Sequence, residues 1–322
     1  IEEGVTVALP AQMAQEIGKP FEGDLAALKA ADCVVAFGVD LVANHQVAGF
    51  FVKRGLPNGT KLIVVDPFDN GLHELADYAL RPEKGTDRDL LLGIMSAVVD
   101  LGAVKDELSN LPDLTQHTPE MVSQTTGVPA EAIRDVARVL AFAQKPAFVY
   151  GKGVTGQDSM QVLEFLVELA RLVGAWDGSR SAIIGTKGQA NSTAAALYGL
   201  DKTFEVNGHQ AVYLALGDDK ISQRLLRRLE AVPFIAVQAS HVSPATAMAD
   251  VVLPVEMWAE QEGHYLNLEG RLQVAHRGLA PPPEAWPNTK VLEAIAARAG
   301  FSLDANWEKG MKVQGAVVRV QC

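Results

Sequence analysis

Short runs of consecutive apolar residues constrain this chain most, each closed by a turn and followed by a helical stretch. Residues 33–37, 61–65 and 147–150 are such runs, and 212–216, 233–237 and 251–253 are three more. A strand that alternates apolar and polar residues has one wet face; a continuous run is buried on both. Between the runs lie stretches with helical spacing. Asp24 is placed to cap a helix over 24–31, residues 87–101 carry an acidic first turn, and Pro119 and Pro129 stand at the starts of two further helices. Buried strands alternating with helices predict an α/β fold with a parallel, doubly wound sheet.

The pattern occurs twice. Cys33 begins a run ending in Gly38-Val39-Asp40; Lys61 begins one ending in Asp66; then Ala76-Asp77 introduces a third. Val212 begins a run ending in Gly217-Asp218-Asp219; Pro233 begins one reaching Gln238; then Ala249-Asp250 introduces a third. This echo predicts two αβα domains, one over 1–140 and one over 141–322, with residues 33–37 and 212–216 in different sheets.

Composition removes several functions. The chain has 322 residues, 48% of them hydrophobic, enough to offset the entropy of ordering. Its formal net charge of -11 disfavours contact with a nucleic-acid backbone. No apolar run approaches the roughly 18 residues of a membrane span. The expected setting is cytoplasmic, peripheral to a membrane through partners at most. The first residue is Ile1 and no basic-then-apolar leader follows, so sequence is expected upstream. The two cysteines, Cys33 and Cys322, form no CxxC or Cys/His cluster, and the seven histidines are scattered. No metal held by this chain's own side chains is expected. Cys33 reads as a small buried hydrophobe.

Open α/β sheets bind ligands outside the carboxyl ends of their strands. Gly38, Asp40, Asp66, Gly217, Asp219 and Gln238 fall there. A carboxylate at such a place accepts from ribose hydroxyls or a guanine edge, or it simply builds a turn. Gly151, Gly153 and Gly156 fit GxGxxG between a strand and a helix, which brings backbone N–H groups near a phosphate. The acid a dinucleotide fingerprint needs would be Asp177, which stands in a glycine-rich loop instead of after a strand. Glu260, Glu262, Glu269 and Arg271 crowd one segment that reads as an ion-paired loop.

Four segments resemble the molybdopterin oxidoreductase superfamily. They are Asn58 to Pro67 with Leu75-Ala76-Asp77 and Lys84-Gly85-Thr86-Asp87; Thr118 to Arg134 with Tyr150 to Thr155; Gly188-Gln189-Ala190-Asn191-Ser192; and Ala249 to Pro254 with Glu260, Glu262, Gly263, Asn267, Glu269, Gly270, Arg271, Pro281 and Pro282. The resemblance implies two αβα domains related by a pseudo-dyad, with a bis-guanine-dinucleotide molybdopterin between them. Asp66 and Asp87 would then serve one arm, and Gly217, Asp219 and Gln238 the other. Gly153, Val154, Gln189 and Asn191 would lie near the cofactor's middle. Phe68 stands where the family often has arginine, which removes a charge from the phosphate.

The resemblance places iron–sulfur clusters and the metal ligand upstream, so this stretch by itself is not expected to turn over substrate. The first reading within the superfamily is the large iron–sulfur subunit of NADH–quinone oxidoreductase (complex I). In that branch the pterin is vestigial or absent, and the chain is a scaffold for electron transfer with the other subunits of a redox complex. The alternative is a formate dehydrogenase or related molybdenum or tungsten enzyme. A non-redox nucleotide-binding module is a third.

Overall fold

The computed structural model describes residues 24–106, 112–151, 153–154, 159–176, 182–186, 191, 194–195, 198, 200, 204, 206, 208–269, 271–303 and 319–320. Strands β1 (Cys33–Phe37), β2 (Lys61–Val65), β3 (Tyr78–Leu80), β4 (Pro146–Tyr150) and β5 (Ile183–Gly185) form one sheet in the order β3-β2-β1-β4-β5. All its pairings are parallel, with Cys33 opposite both Lys61 and Pro146.

Successive side chains of these strands enter two different cores, as the pleat requires. Cys33, Val35, Phe37, Ile63, Val65, Phe148 and Tyr150 face one. Helices α3 (Asp87–Asp100), α4 (Pro119–Thr126), α5 (Ala130–Phe142) and α6 (Ser159–Leu172) cover it. Val34, Ala36, Leu62, Val64, Ala147 and Val149 face the other, under α1 (Leu25–Ala30) and α2 (Gln46–Gly55). Burial on both faces is why the runs carry no polar alternation. The helix starts follow the sequence signals: Asp24 accepts from the Ala26 N–H at 2.8 Å, and Thr118 caps α4 ahead of Pro119. Burial above all, with Asp32 and Asp77 nearby, pushes the Cys33 thiol up to about 12, so it is an inert core group.

The first sheet extends past the expected boundary at residue 140. β4 pairs with β1 along its whole length, α6 lies over the same core, and β5 completes the edge. Asp32 fixes this return: its carboxylate accepts from the N–H groups of Gln144 (2.6 Å) and Lys145 (2.9 Å) at the start of β4.

A second parallel sheet has the order β6 (Val212–Gly217), β7 (Ile235–Ala239), β8 (Val251–Pro254). Its core joins Val212, Leu214, Ile235 and Val237 to Leu225 and Leu229 of α7 (Gln223–Leu229). β1 and β6 lie in different sheets, and the echo persists at atomic level. Asp77 N–H donates to Leu62 O (2.9 Å) while its carboxylate accepts from Leu62 N–H (3.0 Å). Asp250 does the same to Ile235, at 2.8 and 2.7 Å. Each aspartate clamps the start of its sheet's second strand.

The acidic segment surrounds a hairpin: β9 (Gly263–Leu266) and β10 (Arg271–Ala275) are antiparallel, with Glu262 just ahead of β9, Glu269 in the turn, Arg271 opening β10, and β11 (Arg319–Val320) parallel to β10. Glu269, in the hairpin turn, accepts from Leu25 N–H at 2.9 Å and so ties this third sheet to α1. A short helix α8 (Pro244–Ala247) follows β7, and α9 (Asn288–Ala299) follows the hairpin in the chain. Among the described residues no helix is long and apolar enough to cross a membrane.

Candidate functional site

The strand order of the first sheet reverses between β1 and β4, and the crevice outside their carboxyl ends is the binding position of such a fold. Two glycine loops meet there. Gly38, with φ +55°, donates to Val65 O at 2.8 Å; Gly153 N–H donates to Gly38 O at 2.8 Å. A Cβ on Gly153 would lie 2.5 Å from Gly38 Cα, and one on Gly38 would lie 3.0 Å from Gly153 backbone atoms. The backbones touch, so neither position tolerates a side chain. The two loops are thereby locked together beside the buried Val154. Lys152, Gly156, Asp177, Gly188 and Gln189 lie outside the described residues.

Asp40 builds a turn, as one of its two readings expects: one carboxylate oxygen accepts from Val42 N–H (2.9 Å) and Ala43 N–H (3.0 Å). Asp66 and Asp87 do come together. Asp66 ends β2 and Asp87 opens α3. Burial, then the neighbouring Asp66 charge, raises the Asp87 carboxyl above its ordinary range. Asp66 is held by Phe68 N–H at 2.9 Å and Asn70 Nδ2 at 3.0 Å. Each carboxylate oxygen keeps a lone pair for a ligand donor.

Sequence reasoning missed Asn70, His73 and Lys84. Asn70 also reaches Val39 O at 3.5 Å and accepts from Leu72 N–H at 3.0 Å, joining the loops that follow β1 and β2. The His73 ring faces Asn70 and Asp69, and its buried Nε2 has no hydrogen-bond partner among the described residues. Lys84 Nζ stands 4.5 Å from the centroid of the exposed Phe68 ring. Nothing in residue spacing announces these contacts; they arise because two strand-end loops fold toward each other.

The second sheet repeats part of this edge. Gly217 has the same φ of +55°, and its carbonyl accepts from Ser240 N–H at 3.0 Å. Here the space is open: a Cβ on Gly217 would meet nothing within 4 Å. Asp218 takes the anchoring role, accepting from Ser240 Oγ (2.5 Å) and Trp258 N–H (2.6 Å). Its neighbour Asp219 is exposed. Gln238 departs from its expected place at a ligand. It is 1% exposed; its oxygen accepts from the Tyr213 hydroxyl and its nitrogen donates to Asn288 at the start of α9. A buried amide must be satisfied, and here protein groups satisfy it.

Asn191 is a strut. With φ +65°, it donates to His264 O at 2.9 Å and accepts from Leu266 N–H at 2.7 Å, so its amide docks on β9 like a short strand. Among the described residues no group of three or more His, Cys, Asp or Glu side chains is placed to hold a metal ion.

Comparison with known proteins fits this geometry. The F420-dependent formate dehydrogenase 2 subunit alpha of Methanococcus maripaludis is 23% identical, over 91% of this chain and 51% of its own length. Formate dehydrogenase H of Escherichia coli is 22% identical, over 85% and 46%. The chain thus spans about half the length of the curated relatives it matches. Among solved structures, acetylene hydratase from Pelobacter acetylenicus superposes with a TM-score of 0.69 at 17% identity, covering 95% of this chain and 51% of that one, which is a likeness of fold. The family model described as Molybdopterin oxidoreductase matches residues 8–298. The chain belongs to the molybdopterin oxidoreductase family.

Proposed function

We propose that this chain is the part of a formate dehydrogenase alpha subunit that holds a molybdenum or tungsten pterin guanine dinucleotide. The formate dehydrogenase relatives support this alternative better than the complex I reading. One observation carries the cofactor assignment. Both parallel sheets end a first strand in a glycine of the same left-handed φ, Gly38 and Gly217, beside aspartates at the same edge.

The residues present fit the group. The Gly38–Gly153 contact holds the loops after β1 and β4 together at the crevice, and Asp66 and Asp87 beside it can accept from ribose hydroxyls or a guanine edge. At the second sheet the open space beside Gly217 leaves room for the other arm, with Asp219 exposed at its rim. When bound, the cofactor supplies the redox chemistry. This chain's residues bind and orient its arms, and the aspartates hold their acceptor oxygens toward ligand donors. The name "subunit alpha" among the relatives supports assembly with other subunits of a redox complex. The remaining ligands and electron carriers belong, on this proposal, to the rest of such an assembly.

The test is chemical. Protein purified from cells supplied with molybdenum or tungsten is hydrolysed in acid, and guanine nucleotide and metal are measured. Nucleotide released in fixed ratio to metal is expected, with formate-dependent reduction of an artificial acceptor by the assembled enzyme. Folded protein yielding neither nucleotide nor metal contradicts the assignment. Nucleotide and metal without formate oxidation would keep the cofactor and reject the substrate.

A further inference from the structure

We infer that Lys84, held over the ring of Phe68, is the cation that receives the phosphate of the guanine nucleotide arm at the carboxyl ends of β2 and β3. This rests on the cofactor reading above and names a residue for it.

Thr86 N–H donates to Glu83 O at 3.1 Å and Gly85 has φ +82°, so residues 83–86 make a tight turn with Lys84 at its second position. The turn leads from β3 into α3, beside Asp87. Phe68 stands two residues beyond Asp66, and its N–H is held by the Asp66 carboxylate at 2.9 Å. Lys84 Nζ sits 4.5 Å from the Phe68 ring centroid. An aromatic face steadies an ammonium without consuming its N–H donors. Among the described residues, no carboxylate forms an ion pair with Lys84.

The neighbouring Arg81 is already engaged, pairing with Asp69 at 3.0 Å. The N-terminus of α3 carries Asp87 and Asp89 in its first turn, which oppose an anion there. Lys84 therefore supplies, from the adjacent loop, the charge that Phe68 lacks. A cation in the turn before α3, with Asp66 at the end of β2 and Asp87 at the start of α3, suits a ligand that carries both a phosphate and hydrogen-bond donors.

The test titrates the 322-residue chain with GDP and, separately, with guanosine, by calorimetry. Lys84→Met should weaken GDP roughly tenfold and guanosine by less than about twofold. Lys84→Arg should keep most of the affinity, and Asp66→Ala should weaken both ligands. Adding Phe68→Arg to Lys84→Met should restore GDP binding, since it returns a cation to the same spot. Lys84 and Phe68 are both exposed, and thermal melts check that each variant folds. GDP affinity unchanged by Lys84→Met, equal losses for GDP and guanosine, or no recovery with Phe68→Arg would each overturn the role of Lys84 while the nucleotide site stands. No saturable GDP binding by the unaltered chain would overturn both.

Discussion

Gly38 and Gly217 share one backbone angle but not one environment, which separates two costs a side chain would incur. Both have φ +55°, so alanine at either is strained. At Gly38 the new Cβ would also press on Gly153 at 3.0 Å, whereas at Gly217 it would enter open space. Gly217→Ala should destabilise by about 1 kcal/mol, and Gly38→Ala by about 2–4 kcal/mol, in denaturant unfolding. Equal losses would show that the Gly38–Gly153 contact contributes nothing. Asp87 offers a test by pH. Burial and Asp66 raise its pKa on folding, so the folded chain keeps this proton to higher pH than the unfolded one. Its contribution is therefore most favourable in acid and is lost as pH rises through the raised value. Asp87→Asn should raise the melting temperature at pH 7 by about 1 °C or more, and the gain should vanish toward pH 4. A gain independent of pH would contradict the burial argument.

At the scale of elements, the repeated clamp is the sharpest sign of internal duplication. Asp77 and Asp250 each bond one residue's N–H and C=O at the start of β2 and β7. Asp77→Ala and Asp250→Ala should each cost about 1 kcal/mol, and should speed amide exchange first at Leu62 and Ile235 respectively. Exchange that rises elsewhere instead would deny the clamp. The apolar runs made the strands of both sheets legible, but two-sided burial holds only for the first sheet; in the second, Tyr213, Val251 and Val252 are exposed among the described residues. The β9–β10 hairpin was not legible. The polar turn residues Asn267 and Glu269 dominate the segment in sequence, and the contact that ties it to the rest of the fold is distant in sequence: Glu269 bonds Leu25. The boundary at residue 140 failed for the same reason. The run at 147–150 announces a strand, but that it returns beside β1 depends on long-range pairing and on Asp32.

Across the whole molecule, two parallel sheets carry matching strand ends, and a third sheet is bonded to Asn191 and, through Glu269, to α1. The placement of Gly38, Gly217 and Asp66 at strand ends could be read from the sequence, because each closes an apolar run. The role of Gln238 could not, since its buried amide is spent on Tyr213 and Asn288. The most direct measurement is amide hydrogen exchange of the chain with and without saturating GDP. Slowed exchange is expected at the strand-end loops of the first sheet, around residues 38–40, 66–70 and 84–87 and at Gly153, with a matching patch at 217–219. Protection confined to the amino ends of the strands, near Asp32, Asp77 or Asp250, would contradict a nucleotide site in these crevices.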